Sequence, residues 1–275
     1  MSAAPTTTIR EHRISARALV KRKGQGPPIA VLTAYDFPFA RIFDRAGVDV
    51  LLVGDSLGNV VQGGETTLPV TLEDVLYHTR AVARAAQRAL VVADMPFGSY
   101  QISPQEAVRN AIQLVKEGGA HAIKLEGGIY VADAIERIVR AEIPVMGHVG
   151  LTPQALHRMG GYRVQGRDAE SRARVLADAC AVAAAGAFSV VLEAVPVDLA
   201  REITAELSIP TIGIGAGEHC DGQVLVMHDL LGLSDWTPSF VKQYADLGLA
   251  AGRAARSYVE DVQNRKFPGN EHGYR

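Results

Sequence analysis

Four carboxylates in this chain share one setting: each closes an apolar run. Val50-Leu51-Leu52-Val53-Gly54 leads into Asp55, Leu90-Val91-Val92-Ala93 into Asp94, Ala122-Ile123-Lys124-Leu125 into Glu126, and Val190-Val191-Leu192 into Glu193. A charged group at the end of a buried strand is costly unless it is paired or bound to a metal. Oxygen ligands without a His/Cys cluster favour a hard cation, so Asp55, Asp94 and Glu126 are read as candidate ligands of Mg²⁺. The plainer use of each is to cap its own loop or to pair with a nearby Lys or Arg. Lys124 stands two residues before Glu126 and so points to the same side of a strand. There it meets either an anionic substrate or one of the carboxylates. Glu193 is a candidate general base across the fold from the metal group, and His148, ending Ile143-Pro144-Val145-Met146-Gly147-His148, is a possible accessory group.

The tetrad Gly54-Asp55-Ser56-Leu57 also matches the signature of the GDSL lipases and esterases, in which that serine is the nucleophile. Such enzymes pair the serine with a late Asp-x-x-His. No Asp of this chain has His at the third following position, and the tetrad alone carries little weight.

Runs rich in Val and Leu with no alternation suit strands buried on both faces of a parallel sheet. Eight can be marked: Ile29–Leu32, Val48–Val53, Ala89–Asp94, Ala120–Glu126, Ile143–His148, Ala187–Glu193, Ile209–Gly213 and Val224–Asp229. Helical stretches lie between them. Thr71 with Asp74 forms a capping box, and Ser103-Pro104-Gln105-Glu106 combines an N-cap, an N1 proline and an N3 glutamate. Further helices are expected over 38–46, 131–141, 168–185, 196–207 and about 238–266. A short helix over 14–23 precedes the first strand, and residues 1–8 read as a loose tail. The segment Gly119-Ala120…Leu125-Glu126 is echoed by Gly186-Ala187…Leu192-Glu193, and Ile143-Pro144-x-x-Gly147 by Ile209-Pro210-x-x-Gly213. Repeated strand–helix units with eight strands predict an α/β fold, a closed (βα)8 TIM barrel, as a single domain over 1–275. An open doubly wound sheet is the competing architecture. One irregularity stands out: Ala216–Gln223 is too short to hold a crossover helix between strands seven and eight.

Glycine-rich segments at 57–69 and 160–167 read as mouth loops able to cover a site. The composition, 48% hydrophobic and 21% charged with a net charge of −2, gives no field for nucleic acid or a membrane surface. No apolar run reaches the ~20 residues of a membrane span. Cys180 and Cys220 have no metal-ligand spacing and fit a reducing compartment, so a cytoplasmic location is expected. Arg10, Arg13, Arg17, Lys21, Arg22 and Lys23 cluster near the N-terminus and read as a solvated helix face, with a binding patch as the alternative.

Several longer segments carry a resemblance. Leu32-Thr33-Ala34-Tyr35-Asp36, Val53-Gly54-Asp55-Ser56-Leu57-Gly58, Gly147-His148-Val149-Gly150-Leu151-Thr152-Pro153-Gln154, Gly160-Gly161-Tyr162-Arg163-Val164-Gln165-Gly166-Arg167 and Asp221-Gly222-Gln223-Val224-Leu225-Val226 resemble the ketopantoate hydroxymethyltransferases. With Thr67–Thr71 and Gly213–Gly217 the likeness covers roughly 28–270. It implies a barrel of the phosphoenolpyruvate/isocitrate lyase group, assembled as a homodecamer. It also implies one-carbon transfer from 5,10-methylenetetrahydrofolate to α-ketoisovalerate (3-methyl-2-oxobutanoate), giving ketopantoate in pantothenate biosynthesis. By the same resemblance Asp55 and Asp94 hold Mg²⁺ with Glu126 in its coordination sphere. Asp55, Ser56, Asp94 and Lys124 contact the oxoacid, and Glu193 accepts a proton. The residues alone reach only metal-assisted carbon–carbon chemistry on a small oxoacid, since a chelated 2-oxoacid can lose its C3 proton to a base while a cation and Lys124 share the charge. A lyase or mutase of the same superfamily would need a Lys-Lys-Cys-Gly-His type loop, which is missing here. A silent barrel serving assembly is disfavoured by the complete acid–base set.

Overall fold

The computed structural model describes residues 13–234 and 236–274, so the expected 1–8 tail and Arg10 lie outside the described residues. Two compact units divide the chain, one ending at Leu225 and the other running from Val226. The first contains eight parallel strands, β1 (Ile29–Thr33), β2 (Val50–Val53), β3 (Leu90–Asp94), β4 (Ala122–Glu126), β5 (Val145–Gly150), β6 (Ser189–Glu193), β7 (Thr211–Ile214) and β8 (Gly222–Leu225). They pair in chain order, and β8 closes on β1 through Ile29↔Gly222 to Leu32↔Leu225. The predicted (βα)8 barrel is therefore the observed fold. β2 and β3 are buried at every residue, because one face fills the barrel and the other meets helices.

The helices begin where their caps allow. Around the barrel run α1 (Ala16–Val20), α2 (Phe37–Arg45), α3 (Leu57–Val60), α4 (Leu72–Ala85), α5 (Pro104–Lys116), α6 (Ala132–Arg140), α7 (Leu156–Met159), α8 (Ala169–Ala184) and α9 (Val197–Glu206). The Thr71/Asp74 capping box opens α4, and Ser103 accepts from the Glu106 N–H at the head of α5. The second unit holds α10 (Met227–Leu231) and α11 (Leu247–Gln263), the latter with no buried residue. Among the described residues no helix is long and apolar enough to cross a membrane.

The barrel interior is apolar at its N-terminal end: Val31, Val50, Leu52, Leu90, Val92, Ala122, Met146, Ile212 and Val224 pack with Ala16 and Leu19 of α1. The N-terminal helix is thus a plug. Two of its basic neighbours, Arg22 and Lys23, are bolts, which corrects the solvated-face reading for them. Arg22 reaches Asp49 at 3.0 Å and the carbonyls of Pro27 and Pro28. Lys23 binds Asp221 at 2.8 Å and the Thr204 carbonyl, and Arg13 donates to the Ala86 carbonyl. Arg22 and Lys23 are drawn in because Asp49 is buried and Asp221 nearly so, and both need cations.

No helix separates β7 from β8, as their spacing requires. The strands are short: four residues span about 13 Å, while the seven of 215–221 can reach about 23 Å when extended, enough to return without a helix. Asp221 fixes that return, accepting from the Thr211 N–H at 2.9 Å and the Gly24 N–H at 3.2 Å. At Gly222 a Cβ would fall 2.4 Å from the Ile29 carbonyl, so the β1–β8 seam needs glycine there.

Three expected boundaries move. The eighth strand starts earlier and ends at Leu225, and Met227-His228-Asp229 belongs to α10, since a short apolar run reads the same for strand and buried helix. The 57–69 loop opens with the turn of α3. The final helix covers only Leu247–Gln263, started by the Asp246 cap.

Leu19 is 1% exposed in the plug. Replacing it with alanine is expected to lower unfolding stability by about 2–5 kcal/mol, measured by denaturant titration; a loss of only a few tenths would mean that α1 does not seal the barrel.

Candidate active site

The parity of the strands builds the site. On β3 and β4, Leu90, Val92 and Ala122 point inward, so Asp94, Lys124 and Glu126 do the same one layer higher. Strand register then sets neighbours: Asp94 lies beside Lys124, Glu126 beside His148, and Gly150 beside Glu193. The apolar filling of the barrel is thereby topped by a charged layer at the C-terminal mouth, where (βα)8 enzymes place their chemistry.

Its members touch. Lys124 Nζ donates to both oxygens of Asp94, at 2.7 and 2.6 Å, and stands 3.9 Å from Glu126 Oε1. The Asp55 N–H points at Asp94 Oδ2, 3.3 Å away. His148 lies between two carboxylates, with Nδ1 3.3 Å from Glu126 Oε1 and Nε2 3.2 Å from Glu193 Oε2. Both contacts are off-line for aligned hydrogen bonds, so they act as ion pairs. Glu193 sits opposite β2 in the barrel order, yet His148 connects it to Glu126, only two strands away. The expected "far side" is one end of a continuous arc. Ser56 opens α3 and shares a 2.8 Å hydrogen bond with the Tyr35 hydroxyl. Among the described residues no histidine pairs with the Ser56 hydroxyl, which removes the GDSL nucleophile.

Burial dominates the electrostatics. It lifts Asp55 well above the ordinary carboxylate range, reinforced by the nearby charges of Asp94 and Glu126. Asp94 is also raised by burial, and Lys124 opposes the rise. For Glu126 burial works the same way, but His148 and Lys124 overcome it and hold the carboxyl low. Lys124 is held firmly protonated: burial opposes the charge, while Asp94, Glu126 and Asp55 more than compensate. His148 behaves likewise, pushed up to about 9 against burial by Glu126 and then Glu193.

The set fits a hard cation. Asp55, Asp94 and Glu126 offer only oxygens, and burial with mutual repulsion raises Asp55 and Asp94, so a cation placed among them would relieve both. Among the described residues no three His, Cys, Asp or Glu side chains form a ready metal cage. An ion such as Mg²⁺ needs only one or two carboxylates and keeps water and substrate in its other positions.

Two residues of the site are not marked out by their own chemistry in the sequence, although Gln154 ends the 147–154 segment that carries the family likeness. Gln154, 6% exposed, donates from Nε2 to Asp55 Oδ2 at 2.9 Å and from its backbone N–H to Glu126 Oε2 at 3.0 Å. The buried Tyr100 hydroxyl approaches Gln154 Oε1 at 2.6 Å. Partial burial and then Glu193, Asp55 and Glu126 raise the phenol of Tyr162 in the 160–167 loop, although the residue is still 56% exposed. That loop is tied beside Glu193 by the Gln165 N–H on the Ala194 carbonyl, and Ala194 has a left-handed φ of 48°.

The barrel has the fold seen in members of the phosphoenolpyruvate mutase/isocitrate lyase superfamily. The 2,3-dimethylmalate lyase of that superfamily superimposes with TM-score 0.59 at 19% identity, covering 96% of this chain and 90% of that one. Phosphoenolpyruvate phosphomutase from Streptomyces platensis gives 0.59 at 19% identity, covering 91% and 88%. Within that fold the sequence is more specific: residues 13–270 match the ketopantoate hydroxymethyltransferase family, and the chain belongs to it. It is 58% identical over 255 residues to the 3-methyl-2-oxobutanoate hydroxymethyltransferase of Geobacter sulfurreducens, covering 92% of this chain and 96% of the relative. The same enzyme of Thermoanaerobacter pseudethanolicus is 52% identical over 265 residues, covering 96% and 97%. The chain is accordingly a transferase.

The raised His148 pKa makes a signed prediction. Its protonated form stabilises the fold fully below the unfolded value of about 6.5 and loses that contribution as pH rises through about 9. In metal-free protein the His148 ring should titrate in NMR near pH 9. A midpoint near 6.5 would show that the two carboxylates do not hold the ring charged.

Proposed function

We propose that the protein transfers a hydroxymethyl unit from 5,10-methylenetetrahydrofolate to 3-methyl-2-oxobutanoate, yielding ketopantoate and tetrahydrofolate with a water supplying the hydroxyl oxygen. The observation that carries this is the continuous buried arc Asp55–Asp94–Lys124–Glu126–His148–Glu193 at the mouth of a barrel whose relatives bear that enzyme's name.

Asp55 and Asp94 are the residues that would hold Mg²⁺, with Glu126 beside it. The ion, when bound, supplies Lewis acidity at the oxygens of a 2-oxoacid. Lys124, already charged and fixed against Asp94, can share negative charge as it develops on the substrate's oxygen. Ser56 presents a hydroxyl at the same rim. Glu193 is the least buried of the acidic groups, its side chain 19% exposed, so it faces the space a substrate would enter. Its role is to take the C3 proton, leaving C3 to attack the one-carbon unit. His148 steadies the Glu193 carboxylate before transfer and ties it electrostatically to Glu126. Tyr162 and its loop can cover the reacting centre. Oxalate and Mg²⁺ occupy a phosphonopyruvate hydrolase of the same fold (TM-score 0.58, 14% identity, covering 94% of this chain and 90% of that one), which supports a divalent ion in this kind of mouth.

The direct test supplies 3-methyl-2-oxobutanoate and 5,10-methylenetetrahydrofolate with and without Mg²⁺. Metal-dependent ketopantoate is expected; cleavage of the oxoacid without transfer would assign a lyase instead. Glu193→Gln should slow exchange of the C3 hydrogen with deuterated solvent about 10²–10⁴-fold without folate present, read by proton NMR. Wild-type exchange would move the base to another group, His148 first. Lys124→Ala should raise KM for the oxoacid and also lower kcat, because more charge sits on the oxygen in the transition state than in the ketone. An unchanged kcat/KM would leave Lys124 as a salt-bridge partner of Asp94 only.

A further inference from the structure

We infer that Gln154 is a positioning residue that sets the orientation of both Asp55 and Glu126, and with it the site's affinity for a divalent cation. The inference rests on the functional reading above and adds a residue to it.

Every polar atom of this buried side chain is committed. Nε2 has two hydrogens, and it faces Asp55 Oδ2 at 2.9 Å and the Met95 carbonyl at 3.0 Å. Oε1 faces the Tyr100 hydroxyl at 2.6 Å and Gln101 Nε2 at 3.4 Å. The amide cannot be turned over, because a peptide carbonyl such as that of Met95 only accepts. Its N–H therefore points at Asp55 whatever the proton count on that carboxyl. The backbone N–H of the same residue takes Glu126 Oε2 at 3.0 Å. One residue, just beyond β5, thus joins the ends of β2, β3 and β4.

The consequence for the carboxylates is directional. Gln154 occupies one oxygen of Asp55 and one of Glu126. Among the described residues Oδ1 of Asp55 then accepts no hydrogen bond and remains for a cation. An amide is the side chain this junction needs. A methionine of similar length has no N–H to give, and a glutamate would set a further carboxylate against Asp55 and the Met95 carbonyl. Tyr100 sits in the same junction: its hydroxyl lies 2.6 Å from Gln154 Oε1 and 3.0 Å from the Glu126 carbonyl, two acceptors for its one proton, and accepts from the Glu126 N–H at 3.2 Å. Partners of this kind, which hold a ligating carboxylate without touching the metal, typically govern 10–100-fold in affinity.

The test uses the full chain and Mn²⁺ as the probe, with binding followed by electron paramagnetic resonance. Wild type should bind one Mn²⁺ and Asp55→Ala should lose it. Gln154→Met should bind about 10–100-fold more weakly, and raising Mg²⁺ in the assay should restore most of its activity, which a damaged fold would not allow. Mn²⁺ affinity in folded Gln154→Met equal to wild type overturns the inference and leaves the metal reading standing. Absence of Mn²⁺ binding by wild type overturns both. Should Gln154→Met fail to fold, Gln154→Asn decides the matter: it keeps an amide but shortens it by one methylene, so that it no longer reaches Asp55 Oδ2, and it should weaken Mn²⁺ binding several-fold, whereas unchanged affinity overturns the inference.

Discussion

The mouth of this barrel exists because buried charge is compensated from within. Lys124 rests on both oxygens of Asp94, and His148 lies between Glu126 and Glu193. Removing one partner of such a pair strands the other in a low-dielectric interior at a cost of about 3–5 kcal/mol. The layer directly beneath, filled by Leu52, Val92 and Met146, needs no such compensation. Well-packed apolar residues in place of the charged layer would be neutral or stabilising. Stability alone therefore does not account for the charged layer.

That compensation depends on strand register. Asp94 meets Lys124, and Glu126 meets His148, because β3, β4 and β5 pair one step apart with their inward residues in phase. A slip of one residue in β4 would turn Lys124 and Glu126 outward to the helices and bring Ile123 and Leu125 inside. Cation and carboxylates would separate together. The site and the sheet are thus specified by the same hydrogen bonds.

Much of this was legible in the sequence. Apolar runs of three to five residues ending in Asp or Glu mark strands buried on both faces, and their carboxylates converge at one end because all eight strands are parallel. The missing helix before β8 could be read from the spacing alone. Gln154 and Tyr100 could not be, since an amide or phenol becomes part of a site only through contacts made in three dimensions. Arg22 and Lys23 were misread as solvated for a related reason. Their partners, Asp49 and Asp221, lie far along the chain, and Asp49 hides at the edge of an apolar run. The shift of β8 has another origin, since Met227–Leu231 offers too few residues for a helical period to show.

The plug at the bottom of the barrel also has a bearing on how the chain is made. α1 is among the earliest described segments to leave a ribosome, yet its bolts bind Asp49 at one place and Thr204 and Asp221 at another. Until β8 has been synthesised, the helix has half a socket. The growing chain therefore holds a partial barrel whose Val, Leu and Met lining is open at the base, a state prone to mispairing and capture by chaperones. Closure of the sheet and seating of the plug become one late event, joining the start of the barrel's sequence to its finish. The contacts that complete the fold span nearly the whole barrel unit, which makes this a slow topology to assemble.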